Sequence, residues 1–116
     1  MMPLPDSGFR LPAIVVIFVA VFATEASASD VCVVQQSADD YVALRATPSA
    51  KGNILVRAKA GDGVVIQQND KGDQIVNGSW LRVLRFPGGV IYQKTDPAYK
   101  TGTVGWMHNR YVNDCG

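Results

Sequence analysis

The sequence holds few of the side chains that carry out catalysis. It contains one histidine, His108, and two cysteines, and no glutamate follows Glu25. The aspartates beyond that point are scattered among turn-forming segments, where Asp commonly serves local hydrogen bonding. This leaves no activated nucleophile beside a base and no set of three or four ligands at zinc spacing. We therefore expect that the protein is not an enzyme and that it uses no metal and no cofactor.

The sequence also lacks an excess of charge of either sign. The 11 lysines and arginines are balanced by 10 aspartates and glutamates, so the formal net charge of the 116 residues is +1. This balance argues against a strongly basic nucleic-acid binder and against an acidic, solvated chain. With 47% hydrophobic residues the chain can bury a core, and its length allows one domain. We expect no nucleic acid among its partners.

A hydrophobic run long enough to span a membrane is missing as well. The apolar run over 11–23 falls short of the roughly 20 residues that a helix needs to cross a bilayer. Arg10 precedes the run, and Ala26 and Ala28 follow it, an order typical of a secretory signal peptide. We predict cleavage after Ala28, with a signal peptide over 1–28 and a domain over 29–116. The alternative is an uncleaved anchor. After cleavage we expect a periplasmic or secreted protein without stable membrane insertion.

The two cysteines, Cys32 and Cys115, lie near the two ends of the predicted domain. In an exported chain, two cysteines without a third are most simply paired in one disulfide. A loop of this length would stabilise the fold by about 4 to 4.5 kcal/mol in the chain-entropy model. The alternative is a redox or nucleophilic cysteine acting with His108, but the sequence has no CxxC motif. We predict the disulfide.

Residues 29–116 have the composition and pattern of an all-β domain. They contain no glutamate, whereas valine, glycine, asparagine, aspartate and aromatic residues are frequent. Short β-type runs alternate with turn residues, and we predict strands over 31–36, 42–46, 54–58, 64–68, 75–76, 79–86 and 103–107. Asn77-Gly78 predicts a tight turn, and a single turn over 108–111 precedes Val112. The expected architecture is a small, strongly bent barrel of five to seven short strands.

The order of several short motifs resembles that of bacterial SH3 (SH3b) domains. The similarity extends from about Tyr41 to Val112 and is carried by residues 44–49, 54–55, 59–61, 78–83 and 105–112. It implies an SH3-like barrel and a non-enzymatic binding module. Ala43 and Thr47 stand where the family typically has Asn and Gly, which puts a function of that loop in doubt. A five-stranded oligomer-binding barrel is a further alternative, although it usually carries a helix where residues 68–79 predict none.

The resemblance also implies a ligand groove. In SH3 folds the Trp that opens the central strand and the Tyr of the last turn border one groove, and these positions match Trp80 and Tyr111. His108 stands where eukaryotic members have a groove proline, and Tyr41 offers a further ring. Flat apolar faces with polar edges suit a peptidoglycan peptide or a proline-containing segment. Burial of Trp80 or Tyr111 in the core is the alternative for each, and the orientation of Trp106 is open.

Three arginines could meet a ligand or serve the fold, namely Arg45, Arg82 and Arg110. Arg45 matches an arginine of the family and is expected to pair with backbone carbonyls or with an acid such as Asp39 or Asp40. In the functional alternative, the planar guanidinium of Arg45 holds a ligand carboxylate. Of the two roles we expect the structural one.

An insertion over about 86–102 separates the last two long strands and contains Phe86, Tyr92 and Tyr99. We expect an elongated hairpin or loop that packs its own aromatic residues. The alternative is a specificity loop, since surface loops on a rigid barrel often carry recognition residues. In that case the protein is a small secreted interaction or inhibitor protein whose contact surface is the insertion. The oligomeric state is left open.

Overall fold

The computed structural model describes residues 30–113 and Cys115. The predicted signal peptide and its cleavage site lie outside these described residues. The described chain is all-β, as predicted, and has no α-helix. Its eight strands are β1 (Val31–Val34), β2 (Val42–Arg45), β3 (Ile54–Ala58), β4 (Gly63–Ile66), β5 (Val76–Asn77), β6 (Trp80–Arg85), β7 (Thr103–His108) and β8 (Val112–Asn113). Three 3₁₀ helices span Pro87–Gly89, Pro97–Thr101 and Asn109–Tyr111.

All strand pairs are antiparallel and belong to one sheet of order β3-β2-β7-β6-β4-β1-β8, with β5 paired to β6. The eight strands exceed the expected five to seven. Strand β5 overlaps the predicted run over 75–76, whereas β8 has two residues and was not predicted as a strand. A run of two residues shows no alternation of apolar and polar residues, so a sequence pattern does not reveal it. The longest pairing joins β6 to β7 and runs from Trp80↔His108 to Arg85↔Thr103.

The main core lies on one face of this sheet. Alternating residues of the long strands supply it, as the period of two in a pleated strand requires. Ala58 of β3 and Val112 of β8 belong to the same buried cluster, although these strands end the sheet on opposite sides. The buried cluster consists of Cys32, Val34, Val42, Leu44, Ala58, Val64, Ile66, Val83, Met107 and Val112.

The segment over 86–102 folds back over the opposite face of the sheet and forms a second, smaller core. Phe86 is fully buried there, with its ring centroid 5.3 Å from that of Tyr92 and 5.4 Å from that of Tyr99. Gly102 lies against Leu84 and Phe86, where a β-carbon would meet both side chains. The expected self-packing of aromatic residues is therefore present. Of the two expected forms, hairpin or loop, the structure shows the loop, because the segment forms two 3₁₀ helices and no strand.

A largely buried ion pair joins the end of β6, where the insertion begins, to the turn before β4. The Nη2 atom of Arg85, at the end of β6, lies 2.9 Å from Oδ2 of Asp62, in the turn before β4, with both side chains about 14% exposed or less. The same oxygen accepts hydrogen bonds from Nε of Arg85 and from the backbone of Lys59. Gly89 packs so closely on Asp62 that a β-carbon would collide with the carboxylate. The insertion is therefore fixed at its first turn.

Cys32 and Cys115 form the predicted disulfide, with a sequence separation of 83 residues. Cys32 is fully buried in the main core, so the bond ties the end of the described chain to the first strand. A stable disulfide is characteristic of proteins that fold in an oxidising compartment. Within the described range, no helix has the length and hydrophobicity needed to cross a membrane.

The turn after β5 differs by one residue from the prediction. Asn77 pairs with Trp80 as the last residue of the strand, so Gly78 and Ser79 form the turn. Only Gly78 has a positive φ, of 59°, a conformation that glycine adopts without steric cost. This register places Trp80 at the first position of β6.

Candidate binding groove

A groove with a volume of about 280 Å³ lies where the start of β6, the end of β7 and the loop before β2 meet. All four residues predicted to contact a ligand line it: Tyr41, Trp80, His108 and Tyr111. The remaining lining residues are Ser37, Asp39, Val42, Ala43, Arg45, Ala50 and Arg110. The structure thus collects side chains from distant parts of the sequence in one concave surface.

Trp80 and His108 form the centre of the groove. They are directly opposite each other in the β6–β7 ladder, and their rings meet edge to face at 5.2 Å with an interplanar angle of 72°. This geometry is favourable for aromatic pairs because a ring edge meets a ring face of opposite partial charge. Trp80 is only partly buried and does not belong to the main core. Of the two places considered for Trp80, the core and the groove, the structure shows the groove.

The local structure after β7 orients the imidazole of His108. His108 is the N-cap of the 3₁₀ helix Asn109–Tyr111, and its Nδ1 accepts a hydrogen bond of 3.2 Å from the backbone N–H of Arg110. The neutral ring that accepts at Nδ1 carries its proton on Nε2. The backbone N–H of Asn109 donates to the carbonyl of Ser79 at 2.8 Å. These bonds hold the turn against the start of β6.

Tyr111 serves both the core and the groove. It packs against the main core as a partly buried residue and also lines the groove, with its ring centroid 6.3 Å from that of His108. Its carbonyl accepts a hydrogen bond of 2.8 Å from the backbone of Gln35. The guanidinium carbon of Arg110 lies 5.9 Å from the Tyr111 ring centroid. Tyr111 therefore lies partly in the core and partly in the groove, the two places that the sequence left open.

Tyr41 is positioned by a short polar loop. The hydroxyl of Ser37 donates to the carbonyl of Tyr41 at 2.6 Å and accepts from the backbone N–H of Asp39 at 3.3 Å. Asp40 has a φ of 64°, in the left-handed region that Asp tolerates better than most residues. Arg57 of β3 lies over the Tyr41 ring at 5.2 Å. Tyr41 therefore enters the groove from a constrained backbone.

Among the described residues, the charged side chains of the groove form no ion pair. Nη1 of Arg45 donates to the carbonyl of Gly52 at 2.8 Å, which is the expected pairing with a backbone carbonyl. The alternative pairing of Arg45 with Asp39 or Asp40 is not formed. Over 30–113, the one ion pair is that of Arg85 with Asp62, so Asp39, Arg45 and Arg110 bring unpaired charges to the groove.

Trp106 does not belong to the main core and does not line the groove. It alternates with the buried Gly105 and Met107 along β7 and so lies on the opposite face of the sheet. There it stands opposite Arg82 of β6 and Arg45 of β2. The guanidinium carbon of Arg82 lies 5.3 Å from the centre of the Trp106 ring system, a cation–π arrangement.

Sequence reasoning missed Ser37 and Ala50 as groove residues, and it missed the contact of Arg57 with Tyr41. The Ser-x-Asp spacing of residues 37–39 is a recognisable signal for a side-chain-supported turn. Ala50 carries no such signal, since its position depends on how the loop after β2 folds back. The described residues hold no group of three or more potential metal ligands.

Comparisons with protein-family models, with curated proteins and with solved structures found no match for this chain. We therefore infer the chemistry of the groove from its geometry alone. Rings of Tyr41, Trp80 and Tyr111 provide apolar contact area, and hydroxyl and ring N–H groups provide hydrogen-bond donors. The arrangement is suited to binding.

Proposed function

We propose that this protein is an exported, non-enzymatic binding module of the SH3b type, whose aromatic groove binds a peptide. The ligand is a peptidoglycan peptide or a proline-containing segment. The observation that carries the proposal is the meeting of Tyr41, Trp80, His108 and Tyr111 in one groove. These residues come from the loop before β2, from β6 and from the turn after β7.

Ring faces in a groove favour ligands that are extended and carry flat or rigid apolar groups. A proline ring or an extended peptide stem loses little conformational entropy on binding, because it is already restricted. Aromatic side chains with few rotatable bonds contribute large contact areas at low entropic cost. Nε2 of His108 and the tyrosine hydroxyls can then bond peptide carbonyl groups.

Two features of the fold support an SH3-like barrel. The strands at the two ends of the sheet contribute to one core, which requires strong curvature of the sheet. The 3₁₀ helix Asn109–Tyr111 precedes the short last strand, in the segment that most resembles SH3b sequences.

Export is supported by the Cys32–Cys115 disulfide together with the signal peptide predicted over 1–28.

The test is an amide chemical-shift titration of the oxidised protein with purified muropeptides and with proline-rich peptides. We expect shifts that map to the groove, and we expect Trp80→Ala to lower the affinity at least ten-fold. Tyr92→Ala is the matched control, since it removes an aromatic ring from the insertion. Both variants must retain dispersed spectra. Absence of binding to either ligand class, or wild-type affinity of Trp80→Ala, would contradict the proposal.

The alternative function, a small interaction or inhibitor protein that uses the insertion, is favoured by a second groove. Lys94 and Tyr99 of the insertion line it together with Asp30 and residues 65–69, and its volume is about 340 Å³. In this case deletion of the insertion, which removes Lys94 and Tyr99 from this groove, abolishes partner capture, whereas Trp80→Ala leaves it unchanged. The deletion and Trp80→Ala together separate the two functions.

A further inference from the structure

The register of the sheet places three arginines on the face opposite the main core. Arg45 of β2 and Arg82 of β6 both stand opposite Trp106 of β7, and directly opposite residues share a face. Arg57 of β3 stands opposite Ala43, which shares its face with Arg45 because the two alternate with buried Val42 and Leu44. The strands β3, β2, β7 and β6 are adjacent, so the arginines form one continuous surface.

Aromatic rings hold two of these guanidinium groups in place. Arg82 lies over the Trp106 ring system at 5.3 Å, and Arg57 lies over the Tyr41 ring at 5.2 Å. Contact with a ring restricts a long side chain while leaving its N–H groups free to donate outward. Arg110, over Tyr111 at 5.9 Å, repeats this arrangement at the groove.

None of these arginines is neutralised by the part of the chain that is described. The ion pair there uses Arg85 and Asp62, and Arg45 bonds a carbonyl group. The nearby carboxylates are Asp39, which lines the groove, and its neighbour Asp40. Although the whole chain has a formal charge of only +1, the groove and the adjoining face concentrate the positive groups. A local potential of this kind attracts and orients anionic ligands.

We propose that the peptide bound by this protein is acidic and that its carboxylates pair with Arg45, Arg82 and Arg110 while its apolar part occupies the aromatic groove. This inference rests on the proposed function and specifies the ligand class. Arg45 joins the two surfaces, since it lines the groove and also flanks Trp106. Two strand spacings separate Arg45 from Arg82, about 10 Å. A proline-containing peptide in the polyproline II conformation has three residues per turn, so carboxylates three positions apart lie on the same side of the peptide and span about 9 Å.

The experiment compares three synthetic proline-containing octapeptides that differ only at two positions, three residues apart, which carry Glu, Gln or Lys. Stem tetrapeptides of peptidoglycan with free or amidated carboxyl groups form a second set. Affinities are measured by calorimetry with the oxidised protein and with Arg82→Gln. Lys100→Gln is the matched control, because Lys100 belongs to the insertion and the charge change is the same. We expect the Glu and free-carboxyl peptides to bind tightest and the Lys peptide weakest.

Arg82→Gln is expected to weaken binding of the Glu peptide about two- to five-fold, as for an exposed ion pair, and to leave the Gln peptide unchanged. Raising the salt concentration should reduce the advantage of Glu over Gln through screening. Equal affinities of the Glu and Gln peptides, and of the free and amidated stems, would refute the acidic ligand while leaving the groove proposal intact. Binding of no peptide in either set refutes both proposals.

Discussion

Asp62 shows how much of this fold depends on single residues. Its Oδ2 accepts from Nε and Nη2 of Arg85 at 3.0 and 2.9 Å and from the Lys59 backbone at 2.9 Å. Its carbonyl accepts from Val34 of β1. One aspartate therefore connects the turn before β4, the end of β6 and the first strand. Because the ion pair is mostly shielded from water, loss of one partner leaves the other charge poorly solvated.

We predict that Asp62→Asn lowers the free energy of unfolding by about 3 kcal/mol, since Arg85 loses its counter-charge in a largely buried site. Urea denaturation followed by tryptophan fluorescence measures the change. Asp70→Asn serves as control, because Asp70 is exposed, and it should change stability by no more than about 0.5 kcal/mol. Similar midpoints for both variants would show that the ion pair contributes little.

The groove residues differ in how far the sequence identified them. Trp80 and His108 belong to the short motifs on which the predicted resemblance to SH3b domains depends, and they are neighbours in one ladder. The partner of Arg45 was predicted only as a choice between a carbonyl and an acid, because the position of Gly52 depends on the folded loop. Trp106 was left open, since alternation over a few residues does not show which face of the strand meets the core.

At the scale of elements, the insertion is a packing unit in its own right. Phe86 is fully buried between Tyr92 and Tyr99, and Ile91 reaches Gly63 of β4, where a β-carbon would lie 3.0 Å from its Cδ1. The segment thus covers apolar strand residues on the face that the main core leaves open. Where the insertion lies, the sheet is therefore packed on both faces, with the main core on one side and the insertion on the other.

We predict that Phe86→Ala destabilises the protein by about 3 to 5 kcal/mol, because it removes the centre of the second core and leaves a cavity. Near-ultraviolet circular dichroism should lose the signal of Tyr92 and Tyr99, and the unfolding midpoint should fall. Phe86→Leu, which refills most of the volume, is expected to recover much of the stability. A stability loss below about 1 kcal/mol for Phe86→Ala contradicts a closely packed insertion.

Strand prediction succeeded where the chain has clear alternation or clear stop signals. The bounds of β3 agree with the prediction over 54–58, and β6 falls within 79–86. The predicted ends of β1 and β4 were too late by two residues each, because apolar and amide residues continue past the last ladder pairs. In the insertion, aromatic and turn residues are compatible with a hairpin or with 3₁₀ turns, and tertiary packing selects the turns.

At the scale of the whole molecule, the disulfide closes nearly the entire described chain. It links the buried Cys32 of β1 to Cys115, just after β8. The strand β8 has two residues and pairs with β1 alone, so few other interactions hold the end of the chain. Small domains gain a large share of their stability from such cross-links, because they bury limited apolar area.

We predict that reduction of the disulfide lowers the free energy of unfolding by about 4 kcal/mol, the entropic effect of opening a loop of this length. Guanidinium denaturation with and without dithiothreitol measures the effect. The double variant Cys32→Ala/Cys115→Ala should match the reduced wild type and should not respond to dithiothreitol. Equal stability of the oxidised and reduced wild type would contradict the role assigned to this bond.

By itself the sequence determined the all-β class, the pairing of Cys32 with Cys115 and the set of aromatic residues from which the groove is built. These features depend on composition, on cysteine number and on short-range alternation, which are readable along the chain. Tertiary structure alone decided the inward packing of the insertion, the face of Trp106 and the collection, beside the groove, of arginines that form no ion pair within the described residues. Such features depend on strand register and on which distant segments meet, because a shift of one residue moves every side chain of a strand to the opposite face.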